Sequence, residues 1–185
     1  MAETPSKMIS LGTKAPDFNL KCAVSNKFYS LQELKSDTAT VIMFICNHCP
    51  YVKLINEGMV KIANDYNDKG IRFIAINSND VATYPEDSPE NMKKTAERYS
   101  YPFPYLFDES QDVARQYDAA CTPDIFVYDR NLSLVYRGQF DDARPGNGKQ
   151  VTGASLRAAL DDIIAGKAVS AQQIPSIGCN IKWKR

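Results

Sequence analysis

The sequence predicts an α/β domain with a mixed central β-sheet covered by helices on both faces. Three observations carry this reading. Thr40 to Ile45 is a continuous β-branched and aromatic run, the pattern of a strand buried on both faces, as in parallel sheets. Pro50 to Lys69 places Val52, Ile55, Met59, Ile62, Ala63 and Tyr66 near helical period, with Pro in its first turn and Gly70 past its end, a helix with ordinary start and stop signals. Ile71 to Ile76 is a second apolar run. Together they make a strand–helix–strand unit, which should cross over right-handed.

The remaining elements follow in order. Ala15 to Leu34 alternates apolar and turn residues, so Asp17–Leu20 and Lys27–Leu31 read as a hairpin around Ser25-Asn26. Ser78 to Pro89 is polar, carries Pro85 and Pro89, and is expected as a surface loop. Pro89 to Tyr99 is a helix capped by Ser88, with Glu90 and Asn91 in its first turn. Tyr105-Leu106-Phe107 is a short strand and Ser110 to Tyr117 a helix. Asp124–Tyr128 and Leu132–Tyr136 alternate around Arg130-Asn131 and predict an antiparallel hairpin. Thr152 to Ile164 is a helix with Leu156, Leu160, Ile163 and Ile164 on one face.

Composition sets the limits. The 185 residues are 44% hydrophobic and 24% charged, which predicts one globular domain over residues 1–185, with 167–185 as a polar C-terminal tail. Lys+Arg and Asp+Glu are both 22. That balance removes the electrostatic basis for a general affinity to nucleic acid or anionic membrane. Met1 to Ser10 lacks a basic segment followed by an apolar run. The longest apolar run, Val41–Ile45, is far short of the ~20 residues of a membrane helix. A cytoplasmic protein with reduced thiols is the expectation. Five Cys are too few for a disulfide scaffold, and the number is odd.

The chemistry-bearing motif is Cys46-Asn47-His48-Cys49, where the first buried strand turns into the first long helix. Two thiols so spaced can close a disulfide across a first helical turn. Cys46 is expected at a helix N-terminus, where free N–H groups and the helix dipole favour a thiolate. His48, the one histidine, stands between the sulfurs, where its cationic form would stabilise a thiolate further. Half of a zinc site is an alternative, with Cys22, Cys121 or Cys179 completing it; so is a structural pair of buried thiols. A Cys-x-x-Cys at a strand-to-helix junction favours redox work. Cys121-Thr122-Pro123 precedes the strand from Asp124. A Pro opening a strand is ordinary, but in a redox α/β fold a cis Thr122–Pro123 bond would leave the Thr122 backbone free to pair with an extended substrate.

On these motifs the chain resembles the thioredoxin-like superfamily, and within it the redoxin branch of peroxiredoxin-like proteins. Ala15-Pro16-Asp17-Phe18 with Ser30-Leu31-Gln32-Glu33-Leu34 is similar to the redoxin N-terminal hairpin, Cys46–Cys49 to the thioredoxin dithiol, and Thr122-Pro123 to the cis-Pro loop. Tyr84 to Met92 and Ser176 to Trp183 resemble signatures of a subgroup of uncharacterised bacterial proteins. Departures are visible. The peroxiredoxin pattern Pro-x-x-x-Thr-x-x-Cys fits neither cysteine, since Ala39, Ile42, Met43 and Cys46 fill the required positions. Thr40–Ile45 lacks the acid that thioredoxins bury in this strand, and Leu54 stands where their helix carries a kink proline. A His before the second Cys is similar to periplasmic disulfide-introducing oxidases.

The resemblance implies a thiol–disulfide oxidoreductase in which Cys46 attacks a disulfide and Cys49 resolves it, with Asn47 and His48 as site residues and Thr122 and Pro123 as the substrate edge. A thiol-dependent peroxidase is the alternative, and a copper- or zinc-binding redoxin-fold protein a further one. The first reading assigns no metal and needs no cofactor. Its partners are protein or small-molecule disulfides and a thiol reductant. Cys121 and Cys179 are candidate auxiliary thiols, Cys121 favoured because it adjoins the Thr122-Pro123 loop.

Overall fold

The computed structural model describes residues 3–185. β1 (Glu3–Pro5) precedes the N-terminal hairpin of β2 (Asn19–Cys22) and β3 (Phe28–Ser30), which turns through Asn26 at φ +61°. The short α1 (Leu31–Leu34) is fixed by a reciprocal cap, in which the Glu33 N–H donates to Ser30 Oγ and the Ser30 N–H to the Glu33 carboxylate. β4 (Ala39–Phe44) leads into α2 (Pro50–Asn67), and β5 (Ile71–Asn77) returns parallel to β4. A single 3₁₀ turn at Pro85–Asp87, α3 (Pro89–Tyr99), β6 (Tyr105–Phe107) and α4 (Asp112–Gln116) follow. β7 (Cys121–Thr122), the hairpin of β8 (Asp124–Asp129) and β9 (Leu134–Arg137), α5 (Ala154–Ile164) and β10 (Ile177–Asn180) complete the chain.

The main sheet runs β3-β2-β6-β5-β4-β8-β9 and is mixed, because β5 pairs parallel with β4 and β6 while β8 lies antiparallel against β4. The apolar run of the sequence is thus an interior strand, between β5 and β8, and every residue of β4 is buried. Its side chains alternate between the faces. Val41, Met43 and Ile45 join Val52, Ile55, Met59 and Leu160 in one core. Ile42 and Phe44 join Ile74, Ile76, Tyr117 and Phe126 in the other. Cys46, Cys49 and Cys179 all belong to the first core, whereas Cys22 belongs to the second.

Two segments depart from expectation. The polar tail contains β10, which sits antiparallel between β1 and β7, with Cys179 opposite both Glu3 and Thr122 and Asn180 opposite Cys121. The tail docks because its backbone finds partners: Lys182 N–H donates to Asn79 Oδ1, and the Lys182 carbonyl accepts from Asp80 N–H and Gln111 Nε2, all at 2.8 Å. Ile181 supplies an apolar anchor in the second core. The Thr122 backbone, expected free for a substrate, is therefore paired with the chain's own strand. The second departure is the loop after β5. Ala82, Thr83, Pro85 and Glu86 lie at the surface as expected, but Ser78, Asn79, Asp80 and Asp87 are buried.

The approach of β10 to the Thr122–Pro123 loop leaves no room for a side chain at Gly178. A Cβ there would lie 2.0 Å from the Thr122 carbonyl oxygen and 2.6 Å from its carbon. Backbone cannot give way as a flexible side chain can, so Gly178→Ala is expected to lower stability by about 2–3 kcal/mol, or to lift β10 from the loop. Chemical denaturation checks the first outcome and hydrogen exchange at Thr122 and Cys179 the second.

Candidate active site

Cys46 and Cys49 flank the turn between β4 and α2. The helix begins at Pro50 with Cys49 as its N-cap, so Cys49, not Cys46, stands at the helix N-terminus that the sequence assigned to Cys46. Both sulfurs face the loop of the cis Thr122–Pro123 bond. Cys46 Sγ lies 3.4 Å from Thr122 Oγ1, and Cys49 Sγ lies 3.2 Å from the Thr122 carbonyl oxygen. Cys179 Sγ is 2.8 Å from Cys49 Sγ. Cys121, favoured from sequence as the auxiliary thiol, instead directs its sulfur at the Pro123 carbonyl oxygen, 3.5 Å away, and burial pushes its pKa up. In a strand the side chains alternate, so a sequence neighbour of the loop need not face the dithiol, whereas a strand paired across it can.

The charges are placed unevenly. A hydrogen bond from Cys46 lowers the Cys49 thiol to about 5 against its burial, helped by Cys179 and by the Val52 and Cys179 N–H groups. Cys46 is pushed well above the ordinary thiol range by the same hydrogen bond, by burial and by the Asp87 carboxylate. These influences favour negative charge on Cys49 over Cys46, whereas the sequence reading expected it on Cys46.

Asp87 is the site residue that sequence reasoning missed. Its fully buried carboxylate accepts from His48 Nδ1 at 2.6 Å, Asn47 N–H at 2.7 Å, His48 N–H at 3.3 Å and Asn79 Nδ2 at 2.7 Å. It sits beyond the C-terminal end of β5, where open α/β sheets place their sites, and that position was the available signal. The carboxylate absent from β4 is therefore supplied by another element. The His48 ring stacks on Tyr84, centroids 5.4 Å apart, with Lys182 Nζ 5.7 Å from the Tyr84 centroid. Asn47 binds Glu86 O and accepts from Tyr105 OH, so its side chain positions the turn and reaches neither sulfur through these bonds.

Cys46 Sγ, a His48 ring nitrogen and an Asp87 oxygen lie within 4.8 Å of one another, and all three are donor types that zinc accepts. The Asp87 carboxylate, however, already answers four N–H groups, and a metal there would displace them. The donor set fits a positioned redox pair better than a metal cage.

The Asp87–His48 pair sets a pH window. The Asp87 hydrogen bond raises the His48 pKa, so its stabilisation is complete below the ordinary imidazole value, ~6.5, and is lost as pH rises through the raised value. Against burial, the His48 and Asn79 hydrogen bonds hold Asp87 below the carboxylate range, so its stabilisation is complete above ~3.9 and is lost as pH falls through the lowered value. Asp87→Asn is expected to cost about 3 kcal/mol between these limits and less at either extreme. Denaturant titrations of both proteins across pH check this; a difference independent of pH contradicts it.

The chain is similar over 100% of its length to an uncharacterized conserved protein from Geobacillus kaustophilus, at 59% identity and TM-score 0.98, covering 97% of that chain. A hypothetical protein from Sinorhizobium meliloti matches at 54% identity and TM-score 0.95, covering 98% of both chains. Peroxidoxin BcpB from Mycobacterium tuberculosis shares the fold at 18% identity and TM-score 0.64, with 85% of this chain and 98% of that one covered. The thioredoxin domain of a thiol-disulfide oxidoreductase from Bacteroides vulgatus does so at 17% identity and TM-score 0.63, covering 81% and 97%. Among curated proteins none matches the sequence. No helix among the described residues is long and apolar enough to cross a membrane. The fold is thioredoxin-like, as the sequence resemblance implied, and residues 11–137 match the AhpC/TSA family model, so the chain belongs to the AhpC/TSA family.

Proposed function

We propose that the protein is a thiol–disulfide oxidoreductase working through Cys46 and Cys49. One observation carries the reading: two cysteines three positions apart at the β4–α2 turn both set their sulfurs against the cis Thr122–Pro123 loop. The fold shared with the Bacteroides vulgatus oxidoreductase domain agrees with it.

Cys46 is the entering nucleophile in this proposal. It adjoins the half-buried Asn47 and His48, whereas Cys49 is enclosed by the Thr122 carbonyl and Cys179. As Cys46 attacks one sulfur of a disulfide, its proton passes to the adjacent Cys49 thiolate, and the substrate S–S bond breaks with the electron pair leaving on the departing thiolate. That thiolate takes the proton from Cys49. The Cys49 thiolate then attacks Cys46, forming the internal disulfide and releasing the second substrate thiolate. One disulfide is reduced and one dithiol oxidised. A thiol reductant closes the cycle by the reverse exchange. The substrates are disulfides of proteins or small molecules.

The experiment is thiol trapping. Cys46→Ser is expected to abolish reaction with a small disulfide, and Cys49→Ser to accumulate a mixed disulfide on Cys46 by mass spectrometry. The opposite pattern assigns the attack to Cys49.

The charge assignment has its own readout. Ultraviolet thiolate absorbance of the reduced protein is expected to titrate near about 5, well below the ~8.5 of a free thiol. Cys49→Ser should remove this low step, while Cys46→Ser keeps it because the serine hydroxyl can still donate. A thiolate so stabilised favours the reduced form. The potential should therefore lie above thioredoxin's about −270 mV.

A further inference from the structure

The tail occupies the edge that an incoming extended chain would use, and it brings a sulfur with it. β10 pairs with β7 so that Cys179 stands opposite Thr122. Gly178, stripped of any side chain, lets the strand lie directly on the Thr122–Pro123 loop. β1 closes the other edge of β10, with the Ser6 N–H donating to the Ser176 carbonyl at 2.8 Å. Ser6 Oγ is in turn bonded to the buried Asp124, which also holds Arg137. The strand is thus fixed at both borders, and the contact of 2.8 Å between Cys179 Sγ and Cys49 Sγ is built into the fold. A shift of under about 1 Å separates it from a disulfide bond length.

We propose that Cys179 is the third thiol of this site, and that the disulfide formed between Cys46 and Cys49 passes to Cys49 and Cys179. The proposal rests on the dithiol reading above. The Cys179 thiolate attacks Cys49 Sγ; the Cys46–Cys49 bond breaks, and its electron pair leaves on Cys46. The proton given up by Cys179 goes to the Cys46 thiolate. One disulfide replaces another inside the chain, so no external oxidant or reductant enters the step. Its products are a tail stapled across the Thr122 edge and a Cys46 free to meet a further substrate.

The step is ordered by electrostatics. In the reduced protein Cys179 is held up to about 12 by burial, by its hydrogen bond to Cys49 and by the Cys49 charge. Once Cys49 is in a disulfide its negative charge is gone, and of the influences that raised the Cys179 pKa burial remains, against the Lys182 ammonium that lowers it. Cys179 is therefore a better nucleophile after the pair has been oxidised than before. The closed edge also fixes the substrate class: with Thr122 already paired, the site takes small disulfides in preference to extended polypeptides.

The test uses the full chain, reduced, then exposed to oxidised glutathione, quenched by acid and alkylation, and mapped by mass spectrometry. The expected result is a Cys49–Cys179 linkage with Cys46 alkylated or glutathionylated. Cys179→Ala should abolish that linkage and leave the disulfide on Cys46–Cys49. A Cys46–Cys49 disulfide with Cys179 alkylated in the wild type overturns the relay alone. Cys46 and Cys49 both alkylated overturns the dithiol reading and the relay with it. A reaction rate with an extended peptide disulfide equal to that with oxidised glutathione, unchanged by Gly178→Ala, overturns the substrate preference.

Discussion

A buried carboxylate has to be answered by donors, and Asp87 is answered from three directions. It takes the two N–H groups of the Asn47-His48 turn, the His48 ring, and the side-chain amide of Asn79. The bonds to Asn47 and His48 fix the path of the chain between the two cysteines. Asn79 binds Asp87 on one side and accepts the Lys182 N–H on the other, so the same charge orders the tail. Removing a buried charge from water is costly unless it is fully paired and hydrogen-bonded. That cost converts a single side chain into a constraint on the dithiol turn, the loop after β5 and the C-terminal strand together.

The thiols are tuned from the other side of the site. The helix start lies at Cys49, and two backbone N–H groups favour charge on its sulfur. His48 is not a free cation beside the sulfurs, because Asp87 neutralises it, and the same carboxylate disfavours a second negative charge at Cys46. The stabilised thiolate therefore comes chiefly from hydrogen bonds within the sulfur cluster and from the helix terminus, and His48 serves mainly to hold the turn.

The docked tail changes what the fold can accept. An open cis-Pro edge offers backbone groups to any extended chain, but here β7 is satisfied by β10 and β10 by β1. Because Gly178 meets the Thr122 carbonyl with no side chain between them, the seal is made by close backbone approach. It also delivers Cys179 to the dithiol, which separates this site from a simple two-cysteine one.

The sequence by itself determined the parts that local pattern encodes. The apolar run of β4, the helix from Pro50 to Gly70, the return strand at Ile71 and the hairpins at both ends follow from periodicity and turn chemistry, and the Cys46–Cys49 motif at a strand-to-helix junction marked the candidate site. What only the tertiary structure decided was long-range pairing. Asp87 lies 39 residues from His48 in a segment whose polarity reads as loop; nothing local says that its charge is buried. Cys179 lies 130 residues from Cys49 in a tail whose polar composition conceals a strand, because backbone bonds and one bare glycine, with Ile181 as apolar anchor, bring it home. Sequence neighbourhood favoured Cys121, but side-chain direction in a strand depends on register. Register across β7 and β10 is set by contacts that only the folded chain makes.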